Sequence, residues 1–471
     1  MAFMENVEAA LSLVADIVWG PALMLLILGT GVYFTIGLRG ISITRIPEAL
    51  RLLFSGEARG NARGEGEISP YAALMSALSA TVGVGNIAGV ATAIHLGGPG
   101  ALFWMWVTAL VGMGTKYAET FLAVTFREFV QGNFLGGPMY YIKLGLGPKW
   151  VWLGVGFALF GSLAALGVGA SVQANAVSDM LRATFNLPPI VTSALLVAGT
   201  FAVLVGGLKR IAAVSEFLVP FMILLFLGTG LLILCLHIGA VPEALRLIFT
   251  SAFTGTAAAG GFAGTTLALA MRYGVARGLF SNEAGLGSAP ILHATARTDD
   301  AVKQGAIGML GTFIDTLVVN SMTGLTIVVT GVWLAGDTAA PLTASAYETA
   351  LPGFGGIVVA LSLLLFAYTT VLGWCVYGDR CAAFLVGVRV IKPYRYLWCA
   401  AVGVGAIAKL DIAWLVADIL NALMALPNLV ALLALSPVVF RETRERLANG
   451  RPLSTVSVPA MACSLNIIRT S

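Results

Sequence analysis

The chain has 471 residues, of which 58% are hydrophobic and 11% charged, with a formal net charge of +4. Soluble domains carry about 25% charged residues. The composition therefore excludes a soluble globular domain and implies a polytopic membrane protein with room for roughly a dozen spans of ~20 residues. The bilayer is the expected partner, and nucleic acid is not. Glycine is abundant, at 56 residues, which suits close helix packing in lipid. The five cysteines (Cys235, Cys375, Cys381, Cys399, Cys463) have no metal-type spacing and read as free thiols.

Met1–Ala15 carries Glu5 and Glu8 and no basic stretch, so no cleavable leader is expected and the first span starts insertion. Apolar runs predict eleven spans, at 16–37, 70–95, 99–126, 150–180, 189–207, 211–238, 255–271, 304–333, 354–388, 395–409 and 411–439. With this list, all but four of the 27 Lys and Arg residues fall on one side. Arg182, Arg246 and Lys409 lie on the other, and Lys116 lies within a span. The crowded side is expected to be cytoplasmic, with the N-terminus outside and the C-terminus inside the plasma membrane. Lys116 is an intramembrane charge, functional by default. It also stands three residues from Glu119 on one helix face, where the two can pair and the lysine can snorkel.

Pro47–Ser55 reads PEALRLLFS and Pro242–Thr250 reads PEALRLIFT, identical at seven of nine positions. Each copy reads as a short amphipathic helix opened by proline. The five spans between them place the copies on opposite membrane faces, the geometry of an inverted repeat of five plus five helices. Spans 2–6 (about 42–238) and spans 7–11 (about 240–440) are then the halves of one transporter domain, residues 1–440. An extra first helix precedes them, and residues 441–471 form a cytoplasmic tail.

Span 2 carries Gly83-Val84-Gly85-Asn86 in its middle. Glycine costs about 1 kcal/mol in a helix relative to alanine, and freed backbone groups in hydrocarbon need partners. A broken helix is expected here. The repeat predicts a matching break in span 7, placed at Gly260-Gly261-Phe262-Ala263-Gly264. For either segment alone, tight glycine packing is the competing explanation; paired interruptions point to a transporter substrate site.

A half-helix N-terminus offers unpaired N–H groups and partial positive charge, which bind a carboxylate. The preceding half-helix ends in carbonyls that suit Na⁺ or an ammonium group. Together the ends complement a zwitterion, so a small amino acid is the natural ligand. Gln173 and Asn175 in span 4 add polar groups. Thr369 and Thr370 in span 9 either complete an oxygen shell for Na⁺ or bond back to their own helix. Trp374 and Phe262, with Gly261 beside the latter, either wall a small pocket or face core and lipid. Asp315 in span 8 has Thr312 and Asn320 near it, and is either a coupling or gating carboxylate or a hydrogen-bonded structural one. No HExxH, GxSxG or Walker A pattern occurs, so neither an enzyme nor a primary pump is expected. A passive amino-acid channel or facilitator is the alternative to a symporter, but it needs a continuous polar lining that few midspan residues supply.

The segments SATVGVGNIAGVATAI (79–94), GGPGALFWMW (97–106), GTKYAETFLAVTFRE (114–128), GGPMYYI (136–142), FSNEAGLGSAPILHATART (280–298), GMLGTFIDT (308–316) and GWCVYGDRCAAFLVG (373–387) resemble the alanine or glycine:cation symporter family over about residues 15–440. That resemblance implies a LeuT-type core and uptake of alanine, glycine or a similar amino acid driven by Na⁺ or H⁺. It implies that Val84, Gly85 and Asn86 face the substrate and that Ser79 and Val82 offer carbonyls to Na⁺, with hydroxyls from Thr369 and Thr370. Gln173 and Trp374 match the family's substrate pocket. Val84 departs from the pattern, standing where many relatives carry Thr or Ser, so a hydroxyl is missing and the pocket is more apolar.

Overall fold

Prolines and glycines set most of the helix ends. In the computed structural model, which describes residues 2–60, 64–254, 256, 264–408 and 411–448, the chain is almost entirely helical. Helices α1 (Ala2–Val18) and α2 (Pro21–Gly37) meet at Gly20. Pro21 takes the first helical turn, where its missing N–H costs nothing. The nine-residue copies both fold as helices, α3 (Ile46–Leu53) and α10 (Val241–Thr254). Their buried faces correspond: Ala49 and Leu53 in one, Ala244 and Ile248 in the other.

Between the copies lie α4 (Pro70–Thr81), α5 (Gly85–Gly97), α6 (Gly100–Thr125), α7 (Pro148–Phe185), α8 (Pro189–Leu204) and α9 (Gly207–Leu236). The Ser69 hydroxyl caps α4 by accepting from the Ala72 N–H at 3.0 Å. Helices α4 and α5 are bent by 54° at the expected glycines. An antiparallel hairpin, β1 (Glu128–Val130) and β2 (Asn133–Leu135), follows α6. After α10 come α11 (Leu267–Asn282), α12 (Ala289–His293), α13 (Ala301–Thr330), α14 (Ala339–Ala350), α15 (Gly355–Val386), α16 (Ile391–Ile407) and α17 (Asp411–Ala448).

Six described helical segments are long and apolar enough to cross a membrane, seven when the α4–α5 pair counts as one span. Helices α6, α8 and α16 cover three of the other expected positions, and α11 meets the fourth only at its end. On α9, Phe217 is 72% and Leu224 69% exposed. Water would not stabilise such side chains, whereas lipid does.

The seventh span corrects the expectation. It was placed at 255–271, but the helix there is α11, which begins at Leu267 and runs to Asn282. The expected break at Gly260–Gly264 falls almost wholly outside the described residues; Gly264 is described, with φ +82°. Arg272 and Arg277, beyond the expected end of span 7, lie on α11, and Arg272 pairs with Asp16 of α1 at 2.7 Å. Helix α17 continues to Ala448, past the expected start of the tail at 441.

Candidate functional site

Helix α4 ends where Val82 turns out of the helical region, at ψ 96°. The N–H groups opening α5 are then left without helical partners. Asn86 accepts from the Gly83 N–H through Oδ1 at 2.8 Å. Gln173 accepts from the Val84 N–H through Oε1 at 3.3 Å. Helix α7 widens into a π-helical stretch at Ala165–Ser171, and Gln173 Nε2 donates across it to the Val168 carbonyl at 3.2 Å. On the other side of the break, the Thr370 hydroxyl donates to the Val82 carbonyl at 3.3 Å and to Phe366 of its own helix at 2.9 Å. A Cβ at Gly83 would lie 2.5 Å from Thr370 Oγ1 and 3.3 Å from Gln173 Oε1. Glycine is required there by this close approach.

Val82, Val84, Gly85, Asn86, Gln173 and Thr370 thus gather around the first break, while Trp374, one turn beyond Thr370 on α15, packs against Gly169 of the π-helical stretch of α7. Ser79 lies one turn below, its hydroxyl bonded to the Ser76 carbonyl at 2.7 Å. It packs against Gly373, where a Cβ would come within 2.8 Å of Ser79 Oγ. The Thr369 hydroxyl points elsewhere, to Phe366 at 3.0 Å and the Met222 sulfur at 3.4 Å. Gly261 and Phe262 lie outside the described residues.

A second break, not anticipated at this place, follows α11. Glu283, Gly285 and Gly287 have φ of +54°, +92° and +81°, a left-handed run that ends the helix. Charges from α6 hold it. Lys116 Nζ donates to the Glu283 carbonyl at 3.2 Å. Glu119 Oε1 accepts from the Gly285 and Gly287 N–H groups at 3.0 and 3.1 Å and from Asn428 at 2.7 Å. Lys116 is 2% exposed. The expected Lys116–Glu119 pairing and snorkelling therefore give way: among the described residues neither forms an ion pair, and each grips one polarity of the break. Trp374 Nε1 donates to Glu283 Oε1 at 3.1 Å, linking this break to α15.

The two breaks share a buried polar network. Asn86 Nδ2 donates to Asp315 Oδ1 at 2.6 Å and Asn320 Oδ1 at 2.8 Å. Asp315 Oδ2 accepts from Ser281 at 2.9 Å and Thr316 at 2.7 Å. Asn320 Nδ2 donates to Ser281 Oγ at 2.9 Å. A π-helical stretch of α13, Phe313–Asn320, sets Asp315 and Asn320 on one side.

The ends of both interrupted segments nearest the hairpin are also stitched together. The Glu67 N–H donates to the Thr295 carbonyl at 2.8 Å and the Arg297 N–H to Ile68 at 2.7 Å. Arg127 donates to the carbonyls of Ala294, Ala296, Glu65 and Thr298 at 2.6–2.9 Å. Glu67 pairs with Arg380 of α15 at 3.3 Å. Burial pushes the Glu67 carboxyl above the usual carboxylate range, against the opposing effect of Arg380.

The missed residues, Glu283 and Ser281 above all, had a signal in the chain. The copies at 47 and 242 are 195 residues apart, and that offset carries Gly83–Asn86 onto 278–281, beside the observed break.

The model of the sodium:alanine symporter family matches residues 4–451. The sodium/alanine symporter AgcS of Methanococcus maripaludis is 46% identical over 438 residues, covering 92% of this chain and 95% of that protein. The probable sodium/glutamine symporter GlnT of Bacillus subtilis is 35% identical, covering 95% and 93%. Among solved structures, an Eremococcus coleocola manganese transporter in complex with an aromatic bis-isothiourea substituted compound aligns at a TM-score of 0.50 and 14% identity. It covers 84% of this chain and 93% of its own, a likeness of fold alone. With a match that runs through both breaks and nearly the whole sequence, this multi-pass membrane protein belongs to the sodium:alanine symporter family, whose members are transporters rather than enzymes.

Proposed function

We propose that the protein is a secondary active symporter that carries a small neutral amino acid, of the alanine or glycine class, into the cell with Na⁺ by alternating access. The observation that carries the reading is the first break. Its N–H groups are held by the neutral side chains of Asn86 and Gln173, which can be exchanged for a ligand carboxylate at little electrostatic cost. The carboxylate sits on the N–H groups of Val84 and Gly85 beside Asn86, and Gln173 and Trp374 wall the pocket. Na⁺ takes the carbonyls of Ser79 and Val82 with the hydroxyl of Thr370, and Thr369 turns to join them. The Val82 carbonyl and Thr370 hydroxyl already lie 3.3 Å apart.

The frame is eleven spans in a LeuT-type five-plus-five inverted repeat after one extra helix, with the N-terminus outside and the C-terminus cytoplasmic. Spans 2, 3, 7 and 8 rock against the rest. The Glu67–Arg380 contact then closes the inner exit and parts when the site opens inward.

Uptake into proteoliposomes tests this, using labelled alanine, glycine and glutamine with Na⁺ and H⁺ gradients imposed separately. Concentrative uptake of alanine or glycine under the Na⁺ gradient is expected. Equilibration without accumulation would make the protein a passive facilitator, and concentration by H⁺ alone would replace the coupling ion.

A further inference from the structure

We infer that the corner where the α8–α9 turn meets the start of α16 binds the phosphate of an anionic phospholipid, and that this lipid acts through Arg395 to loosen the Glu67–Arg380 contact. The binding half stands on the corner alone; the effect on transport rests on the symport reading. Helices α8 and α16 run antiparallel. The Ser193 hydroxyl donates to the Gly403 carbonyl at 2.9 Å at one level, and Arg395 Nη1 donates to the Leu204 carbonyl at 3.3 Å at another. The rings of Phe201 and Tyr396 lie 6.3 Å apart between these levels. Beyond Leu204 the chain turns through Gly206 and Gly207, the latter at φ +69°. A Cβ on Gly207 would lie 3.6 Å from Arg395 Nη1, and one on Gly206 would collide with the Arg210 side chain. Two arginines therefore flank adjacent glycines of one turn.

Lys209 joins Arg210 in the first turn of α9, and Arg389 and Lys392 lead into α16. All four are exposed, and among the described residues none forms a hydrogen bond or ion pair. Like charges gathered without an anion repel one another. Asp379, the acid bonded to Arg395, is buried and already accepts from Arg395 Nε and Nη2 at 3.0 and 2.8 Å. A phosphate supplies the missing negative charge. The surface beside the cations says which phosphate: Val205 is 68% and Tyr396 65% exposed, and Leu397 is exposed next to Tyr396. A lipid uses both features, its headgroup on the cations and its acyl chains along α8 and α16. A free phosphate would make no use of the apolar face.

Arg395 carries the effect inward. Asp379 Oδ1 has no hydrogen-bond partner among the described residues, and it lies 3.9 Å from Arg380 Nε, which has none either. The other nitrogens of Arg380 hold Asn133 at 3.0 Å and Glu67 at 3.3 Å. A lipid phosphate competes with Asp379 for Arg395, since guanidinium binds phosphate as readily as carboxylate. As Arg395 turns outward, Asp379 is left buried without its main counter-charge and draws in Arg380, the neighbouring cation. Arg380 then gives up Glu67, and the inner closure loosens.

The experiment titrates the purified full-length protein with phosphatidylglycerol, phosphatidylcholine and inorganic phosphate, and counts bound molecules by native mass spectrometry. Wild type should retain phosphatidylglycerol in preference to phosphatidylcholine. Lys209→Gln with Arg210→Gln, and Arg389→Gln with Lys392→Gln, should each weaken that binding roughly tenfold or more. Arg51→Gln with Arg441→Gln removes two exposed cations on other helices and should leave it unchanged. Equal losses in all three double variants, or no loss in the first two, overturn the site. Displacement of the lipid by an equal concentration of inorganic phosphate overturns lipid as its occupant. Alanine uptake is then compared between vesicles of phosphatidylcholine alone and of phosphatidylcholine with phosphatidylglycerol. The anionic lipid should raise the wild-type Vmax several-fold with KM unchanged, and both corner variants should lose that increase. Equal Vmax in the two vesicles overturns the link to the inner closure. No uptake in either vesicle removes the symport reading instead, while the binding titration still decides the site.

Discussion

The two breaks solve one problem with opposite chemistry. Both interrupt a buried helix and free N–H and C=O groups that must be satisfied. At the second, the protein supplies its own ammonium and carboxylate, Lys116 on the Glu283 carbonyl and Glu119 on the N–H groups of Gly285 and Gly287. At the first, neutral amides and a hydroxyl do the work at 2.8–3.3 Å. A buried charge cannot leave its partner without a large desolvation cost, whereas a neutral amide can be displaced for about 1 kcal/mol. On the proposed reading, the second break is fixed and the first is free to exchange its partners for a ligand. An amino acid bound there would resemble Lys116 and Glu119 in one respect: it would bring a cation and an anion to a helix break.

The sharpest way to break this contrast is at the charges. In Lys116→Met the Glu283 carbonyl loses its buried donor, and in Glu119→Gln the Gly285 and Gly287 N–H groups lose a charged acceptor. Each change removes buried hydrogen bonds to a charged group, worth about 1.5–3 kcal/mol apiece, so both variants should melt below wild type in detergent and lose uptake. Wild-type melting in Lys116→Met would mean that the second break does not depend on these charges.

Gly83→Ala should act next most strongly. Its Cβ meets Thr370 Oγ1 at 2.5 Å, an overpacking worth about 1–3 kcal/mol. Uptake should fall roughly tenfold or more. Adding Thr370→Ala removes the colliding hydroxyl and should recover part of the loss in a double-mutant cycle. Additive losses would deny the close approach.

Gln173→Ala leaves the buried Val84 N–H without its acceptor and should lower stability by no more than about 1–3 kcal/mol. It should change the KM for alanine by up to roughly tenfold, the worth of one hydrogen bond of about 1 kcal/mol. A large loss of stability instead would make Gln173 a structural clamp like Glu119. The smallest effect is expected from Val84→Thr. It adds a hydroxyl beside the ligand and should shift preference among alanine, glycine and serine by a few-fold, read from competition uptake. An identical profile would show that position 84 does not set selectivity.

The first break was legible because Gly83, Gly85 and Asn86 stand conspicuously inside an apolar run. The second was not, for two physical reasons. Arg272 and Arg277 made α11 resemble a loop, although Arg272 pairs with Asp16 and Arg277 lies over the Phe280 ring at 5.9 Å. The glycine-rich run at 260–264 competes with the second break as an interruption by composition and lies almost wholly outside the described residues, whereas the 195-residue offset points to 278–281. Lys116 and Glu119 were singled out from sequence as an i,i+3 pair. Their partners could not be read, because left-handed backbone at Glu283, Gly285 and Gly287 turns the carbonyl and N–H groups toward α6 only in the folded molecule. Thr370 and Val82 were brought together as expected; Thr369, one residue away, faces Met222, because adjacent residues on a helix point about 100° apart.

The contrast between the breaks is tested most directly by hydrogen–deuterium exchange of the purified protein, following peptides over 79–90 and 281–292 with Na⁺, alanine, both or neither. A fixed second break and an exchangeable first one predict that 281–292 is protected in every condition. They also predict that 79–90 gains protection only when Na⁺ and alanine are both present. Ligand-dependent protection at 281–292, with 79–90 unchanged, would contradict the assignment and move the site to the second break.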